Sequence, residues 1–413
     1  MNFLYDPVGF LAEWLRGLLS TWGIPDVWIT FMLFLVGAGL LATGAMVLVV
    51  FLIWGERKVI GRVQDRFGPN RVGPWGIFQT FADLLKIFTK EYITPTGVDI
   101  VSYNLAPILA VASVLMVWAV IPFSITFYGT DFNAAVLYIM AVGSIGEVGV
   151  VMAGWGSNNK YAMLAAFRAV AQLISYEVPM VLSLVLPVMF AGSMSLVGIV
   201  QSQPVWNIFL APLGAIVFLI SSIAEVGRAP FDLTESESEL VAGFNIEYSG
   251  LKFGMFYVAD FLHAFTISLL FATFFLGGWQ GPGAAQFPFL GFVYYVLKTG
   301  CVYFLTVLMR AALPRFRIDQ MMDLNWKFLT PLSLVLVMLS ALVYKILPKN
   351  MVFLQVIVMV VLNVLVYVVA DWLLNYYEKR NPRPAVVNEL RPMARFPYAV
   401  AQSSSVSKKA REG

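Results

Sequence analysis

Along most of the chain, apolar runs of about 20 residues alternate with polar connections, the length an α-helix needs to cross about 30 Å of hydrocarbon. Nine runs are expected to span: 29–54, 105–126, 134–153, 177–199, 207–224, 254–277, 289–309, 328–347 and 351–375. Ten-residue stretches of strict alternation are missing, which speaks against a transmembrane barrel. Ahead of the first run, Phe3, Phe10, Leu11, Trp14, Leu15, Leu18 and Leu19 recur at roughly helical spacing, interrupted by Asp6, Glu13 and Arg16. Residues 3–19 are therefore expected to form an amphipathic helix at the membrane surface, with neither the basic start nor the cleavage site of a signal peptide. A second interfacial helix is expected from Gly76 to Lys90, with Gln79, Asp83, Lys86 and Lys90 on one face and Phe78, Phe81, Leu84, Leu85 and Phe88 on the rest. Between spans 3 and 4, residues 154–176 read as a turn followed by a short amphipathic helix, with Lys160, Arg168, Gln172 and Glu177 as its polar groups. The expected fold class is an all-α polytopic membrane protein with about nine transmembrane helices plus interfacial helices.

Charge gives that pattern an orientation. The connections after spans 1, 3, 5 and 7 and the tail hold 23 of the 27 lysines and arginines, and those after spans 2, 4 and 6 hold none. By the positive-inside rule the N-terminus lies outside and the C-terminus in the cytoplasm. Every long polar connection, 55–104, 154–176, 225–253 and 310–327, then falls on one face. Three parts follow: a membrane domain over 1–347, an additional C-terminal span over 348–375 and a basic cytoplasmic tail over 376–413.

Composition narrows the chemistry. The chain is 60% hydrophobic and 12% charged, with a mean hydropathy of +0.80. Its basic residues sit in a few loops, which argues for membrane orientation and against nucleic-acid binding. One cysteine, Cys301, and one histidine, His263, both in apolar runs, argue against a self-contained zinc, haem or iron–sulfur site, so no metal is expected. Both are expected to be packed span residues. No G-x-G-x-x-G fingerprint opens a dinucleotide fold.

Against this background the stretch from Glu225 to Lys252 stands out. It carries six carboxylates, Glu225, Asp232, Glu235, Glu237, Glu239 and Glu247, and one arginine, Arg228, before Lys252. Carboxylates crowded in a poorly solvated site disfavour shared ionisation, so their protons become exchangeable in response to a nearby charge. The competing reading is a solvated acidic loop that docks a basic partner, which fits Glu237 best because it points away from the Glu235/Glu239 face. Glu147, Asp260, Lys298 and Asp371 are the charged exceptions inside the spans. Asp371 lies near a span end beside Trp372, Tyr376 and Tyr377 and is expected to reach the interface. Glu147 and Lys298 lie deeper, at a cost of about 2.5 kcal/mol or more each, and are expected to face protein groups or water.

Four segments together resemble the H subunit (subunit 1 in mitochondria) of proton-pumping NADH:quinone oxidoreductase, respiratory complex I: GERKVIGRVQDRFGPNRVGPWGIFQTFADLLK (55–86), AGWGSNNKYAMLAAFRAVAQLISYE (153–177), AEVGRAPFDLTESESELVAGFNIEYS (224–249) and RAALPRFRIDQMMDLNWKFLTP (310–331). The resemblance covers about 29–347. Departures include Gly227-Arg228 where the family has Asn-Arg, Ala259-Asp260-Phe261 where it has Ala-Glu-Tyr, and Ile318 where it has tyrosine. The resemblance implies a multi-pass subunit of a bacterial cytoplasmic (inner) membrane that joins the membrane and hydrophilic arms. It helps form a quinone chamber and couples quinone reduction to proton translocation. By the same resemblance the chain itself is expected to bind no cofactor, and ubiquinone or menaquinone is the expected substrate. FMN and iron–sulfur clusters are expected in partner subunits, above all the hydrophilic quinone-site subunits, with small membrane subunits as further neighbours.

Chemistry assigns candidate residues to both roles. A long apolar tail needs a greasy path, and a small headgroup needs a few polar groups at its end. Phe78, with Phe81 and Phe88, suits the first; Gln79, Asp83, Lys86, Arg57 and Arg62 suit the second, or else form ion pairs supporting a subunit junction. Glu56, Arg228, Phe231 and Arg310, all within the matching segments, join the quinone set. Glu225, Asp232, Glu235, Glu237, Glu239 and Glu247, with Asp260, Glu147, Glu177 and Lys298, form the proton-coupling set. The equivalent subunit of a membrane-bound hydrogenase or a ferredoxin-dependent quinone oxidoreductase is an alternative. A stand-alone proton-coupled transporter is another, although no internal repeat supports it.

Overall fold

The computed structural model describes residues 7–233, 243–347 and 352–380. Fourteen α-helices follow in order: α1 (Pro7–Thr21), α2 (Asp26–Val63), α3 (Gln79–Thr89), α4 (Ile100–Trp118), α5 (Ala135–Gly156), α6 (Lys160–Ala191), α7 (Leu196–Gln201), α8 (Asn207–Leu210), α9 (Pro212–Val226), α10 (Gly250–Phe275), α11 (Pro288–Ala312), α12 (Ile318–Leu324), α13 (Thr330–Ile346) and α14 (Val352–Arg380). No strand occurs among the described residues. The all-α polytopic class holds, with eight helical segments among the described residues long and apolar enough to cross a membrane, one of them running unbroken through α12 and α13.

The expected fifth span, 207–224, is different. It divides into α8 and α9 at Ala211, whose backbone (φ −135°, ψ 66°) leaves the helix just before Pro212. Proline disfavours helical geometry in the residue before it and starts a new helix well, so the break follows from local sterics. α9 alone has 15 residues, about 22 Å of helix and short of a full crossing.

Two helices are longer than expected. α2 runs to Val63, through what reads as loop, and α6 is one 32-residue helix where a turn, a short helix and a separate span are expected. An alanine-rich stretch without glycine or proline carries α6 from its Asn159 cap into the membrane, so Gln172 and Glu177 sit on a spanning helix. Pro179 within α6 removes the N–H that would bond to the Ser175 carbonyl. Asn325, on a π-helical turn over Asn325–Leu329, donates its Nδ2 to that carbonyl at 2.6 Å and holds the 318–346 segment against α6. The expected loop 310–327 is accordingly helical over Ile318–Leu324.

The core sits around α10, which packs on α4, α11, α9 and α2. Phe218, Phe271, Phe274, Phe275 and Tyr295 are enclosed there. α9 ends at Gly227 in the left-handed region (φ 69°), where a side chain would be strained, and Gln172 donates to both Ala224 O (2.6 Å) and Phe231 O (2.7 Å). Together they hold Arg228–Leu233 beside the middle of α6 and the end of α9.

The chain divides into two compact units, 1–367 and 368–413. In the second, the described part is the C-terminal end of α14, where Trp372 stacks on Tyr376 at 5.7 Å and Asn375 donates to Asp371. Within the first, Asn363 of α14 is 2% exposed and serves the α8–α9 break: its Oδ1 accepts from Leu213 N and its Nδ2 donates to Leu210 O, each at 3.3 Å. Both groups lie at a helix break that no side chain of α8 or α9 caps. Asn363→Leu strips both partners and is expected to destabilise the first unit by about 2 kcal/mol, at 1–3 kcal/mol per orphaned buried group, partly offset by the gained apolar contact. A lower thermal unfolding midpoint in detergent is the corresponding measurement, with Asn363→Gln closer to the parent.

Candidate functional site

The cytoplasm-expected ends of α2, α9, α10 and α11 meet in a buried charge cluster. Glu56, 3% exposed, accepts from Arg228 Nη1 at 2.8 Å, from the Tyr303 hydroxyl at 3.2 Å and from Arg310 Nη1. Arg228 also donates to Asp260 Oδ2 at 3.2 Å and lies 4.6 Å from the Phe261 ring centroid. Two guanidinium groups thus face two carboxylates, and the cluster is close to neutral. Burial opposes the Arg228 charge, but Asp260 and Glu56 outweigh it and raise the group above the usual arginine range. Phe261, where the family's tyrosine hydroxyl is missing, still offers a ring face to the cation.

Beside this cluster lies a cavity of about 170 Å³, walled mostly by apolar side chains of α4, α5, α6, α9 and α10. Five carboxyl groups line it, each from a different element: Glu147 (α5), Glu177 (α6), Glu225 (α9), Asp232 (the loop after α9) and Asp260 (α10). Asp260 is paired with Arg228, and Asp232 with Arg315 at 2.8 Å. Glu147, Glu177 and Glu225 are in electrostatic contact with one another, and among the described residues no lysine or arginine forms an ion pair with them. Glu225 stands in the last turn of α9, where the helix dipole disfavours negative charge. Its Oε2 is buried without a hydrogen-bond partner, and its Oε1 lies 3.7 Å from His263 Nε2. That distance is too long for a hydrogen bond. The cavity is large enough for several waters.

A third group forms on the outer side of α2 and α3. Arg57 Nη1 meets Asp83 Oδ2 at 2.5 Å, Gln79 donates to Asp83 Oδ1 at 3.4 Å, and Lys86 lies 3.9 Å from the same oxygen. Arg62 caps the Phe67 ring at 5.3 Å. Arg57 is 45% and Asp83 26% exposed, so the pair contributes at most about 1 kcal/mol and positions more than it stabilises. Phe78 and Phe81, 6.3 Å apart, lie exposed with Leu85 and Phe88 on the apolar face of α3. The helix is anchored at its start by Trp54, which donates to Trp75 O at 3.2 Å, and by the tight turn at Gly76 (φ 76°), where a Cβ would stand 2.2 Å from Pro69 O.

The expected residues therefore fall into separate places. Glu56, Arg228, Arg310 and Asp260 come together, with Phe231 nearby between Tyr176 (5.4 Å) and Phe316 (5.6 Å). Glu147, Glu177, Glu225 and Asp232 line the cavity next to them. Glu247 does not: its Oε1 accepts from Asn159 Nδ2 at 2.7 Å beside a shallow polar pocket. The adjoining Tyr248 stacks on Tyr103 at 4.3 Å, and burial, with Tyr103 adding, pushes its phenol above the usual range. Lys298 lies apart, past the far end of α10, donating to the carbonyls of Leu276 (2.7 Å), Gly278 (3.0 Å) and Gln280 (2.8 Å), so all three of its protons are used. Glu235, Glu237 and Glu239 lie outside the described residues.

His263, expected as packing, lines the cavity, and Arg315 and Tyr303 also join the charged groups. The position of His263 one helical turn after Asp260 carried a signal, because i and i+3 share a face. Arg315 and Tyr303 carried none, since their pairings depend on contacts remote in sequence. Cys301, also expected in the core, is exposed to the surroundings of α11. Among the described residues no group of three His, Cys, Asp or Glu side chains is arranged to hold a metal ion.

Fold and site together define a polytopic helical membrane protein with a charge-lined cavity between its helices. The model of the NADH dehydrogenase family matches residues 36–341, which include all the cavity and cluster residues. The chain is 46% identical over 316 residues to the H subunit of NADH-quinone oxidoreductase from Dehalococcoides mccartyi (strain CBDB1), covering 76% of this chain and 87% of that protein. It is 46% identical over 335 residues to the H subunit of the same oxidoreductase from Geobacillus kaustophilus (strain HTA426), covering 81% and 98%. An H subunit from Geobacter metallireducens (strain ATCC 53774 / DSM 7210 / GS-15) is 45% identical over 305 residues, 71% of this chain and 91% of that one. The chain belongs to the NADH dehydrogenase family of membrane subunits.

Arg228→Met keeps much of the side chain's length while leaving Asp260 without its guanidinium. It is expected to destabilise the membrane domain by about 3–5 kcal/mol, the usual cost of removing one partner from a buried ion pair. Arg228→Lys supplies a point charge that cannot serve both acids in fork geometry and should fall between. Thermal unfolding and subunit retention during purification of the intact complex report the order.

Proposed function

We propose that this chain is the membrane subunit of a bacterial NADH-quinone oxidoreductase at which quinone reduction is converted into proton movement. The observation that carries the reading is the contact between two unlike groups of acids. Glu56 and Asp260 are locked to arginines, while Glu147, Glu177 and Glu225 share the adjoining cavity without ion-paired cations. The first set is fixed by its guanidinium partners, and the second faces the cavity without them.

A quinone tail fits the exposed aromatic face of α3, and a headgroup fits the polar end where Arg57, Asp83 and Gln79 converge. Electrons reach the quinone from FMN and iron–sulfur clusters in hydrophilic partner subunits, docked on the basic loops of the cytoplasmic face, with small membrane subunits alongside. Negative charge developing at the headgroup perturbs the Arg228–Glu56–Arg310 cluster, because in a weakly screened interior a change in one charge is felt by its paired neighbours. Asp260 belongs both to that cluster and to the cavity wall, so it passes the change on to the acids beyond it. Protonation of Glu225, Glu177 and Glu147 then follows the redox state of the quinone. The curated relatives are named for quinone, which favours this reading over a hydrogenase subunit, and their consistent naming as a subunit opposes a stand-alone transporter.

Glu225→Gln preserves shape and removes the exchangeable proton. In the assembled, membrane-reconstituted complex it is expected to lower proton pumping coupled to quinone reduction by about tenfold or more, within the range of lost acid–base steps. Pumping is read from an internal pH dye during NADH oxidation; a normally assembled variant that pumps fully removes the proton role. Glu247→Gln, away from the cavity, is expected to have a smaller effect.

A further inference from the structure

His263 is a titratable group of the cavity wall with no task in the mechanism above. It is the single histidine of the chain, it is held on α10 one turn after Asp260, and its Nε2 faces Glu225 Oε1 at 3.7 Å. A movement of about 1 Å by either side chain closes that gap to a hydrogen bond. The other Glu225 oxygen is buried without a hydrogen-bond partner, so nothing else in the described structure fixes the carboxyl in place. Groups facing this spot come from every element around it: Glu147 on α5, Glu177 on α6, Glu225 on α9, Arg228 and Asp232 on the following loop, Asp260 on α10 itself and Arg310 on α11. Among these, Asp232 and Asp260 are bonded to arginines, and the two arginines carry permanent charge. The imidazole is the one uncharged nitrogen base lining the cavity, neutral with one ring proton and positive with two.

We propose that His263 is a proton-exchanging residue that links the Glu147–Glu177–Glu225 trio to the Arg228–Asp260 pair. The proposal rests on the reading of the cavity as the coupling site. In the step, the O–H bond of protonated Glu225 breaks as an N–H bond forms at His263 Nε2, giving a carboxylate and an imidazolium and leaving total charge unchanged. The imidazolium then stands beside Asp260 and competes with Arg228 for it. Proton arrival in the cavity therefore loosens the junction that answers to the quinone, and a rearranged junction in turn draws the proton from Glu225. The return step passes the proton to a cavity water. A side chain with no basic nitrogen interrupts the exchange even when its volume and polarity are kept.

The test uses the complete complex in proteoliposomes, with His263→Gln and the smaller His263→Asn beside the parent, Glu225→Gln and the double variant Glu225→Gln/His263→Gln. NADH-driven quinone reduction and proton pumping are followed from about pH 5.5 to 8.5 under the same conditions. Expected is a fall in coupled turnover of about tenfold in both histidine variants, with a flattened pH profile, and a double variant no worse than Glu225→Gln alone, because the two residues act on one proton. Parent turnover and parent pH profile in an assembled histidine variant overturn the proposal, as do additive losses in the double variant. Loss of assembly in both histidine variants assigns His263 to packing and overturns it as well. Full pumping by Glu225→Gln removes the coupling reading itself, whereas impaired Glu225→Gln with unimpaired histidine variants removes only the role of His263.

Discussion

Arg228 is the side chain on which the site depends. It lies just past the end of α9, almost fully enclosed, and reaches Glu56 on α2 and Asp260 on α10 with one guanidinium. Taking such a charge out of water costs several kcal/mol, and the cost is recovered only if the partners are close and well oriented. The fold supplies that geometry: Gly227 turns the chain at the helix end, Gln172 fixes the carbonyls on either side of the turn, and Phe261 covers the guanidinium face. A lysine could meet one of the two acids, but it lacks the fork that meets both.

The cavity follows the opposite rule. Three of its glutamates have no arginine or lysine as ion-pair partner among the described residues, and one of them ends a helix whose dipole works against it. Such an arrangement adds nothing to stability. Its place on the same cavity wall as a cluster of matched charges is the strongest physical sign of use, because a membrane interior penalises each ionisable group that is not compensated. Paired acids are held in place by their partners, and the three glutamates are not held by any arginine or lysine among the described residues. Asp260 connects the two regimes because one carboxylate serves as ion-pair partner and as cavity wall.

Much of this was legible in the sequence. Apolar runs located the long helices, and the acid-rich stretch pointed to Glu225 and Asp232. Three things were not legible, each for a physical reason. α6 reads as two elements because Glu177 and Pro179 look like a boundary, yet Asn325, 150 positions away, satisfies the carbonyl that Pro179 frees. His263 reads as packing because periodicity shows which face of a helix it shares but not what lies opposite. Glu247 and Lys298 read as coupling residues because charge is visible in sequence and partners are not; the structure gives one an asparagine and the other three carbonyls, both away from the cavity.

Two of the proline positions in the membrane domain share one solution. Pro179 in α6 and Pro212 at the start of α9 each leave backbone groups without their helical partners in a region where water is scarce. At both, a buried asparagine from a later helical segment supplies what is missing: Asn325 for Ser175 O, Asn363 for Leu210 O and Leu213 N. Asparagine suits the task because one amide both donates and accepts. The first of these lies inside the family match and the second beyond residue 341. The C-terminal helix is thereby tied to the element that presents Glu225 and Arg228, since α9 begins at the break that Asn363 fills and ends at the cavity. A residue beyond the matched region thus supports the far end of the helix whose near end holds Glu225.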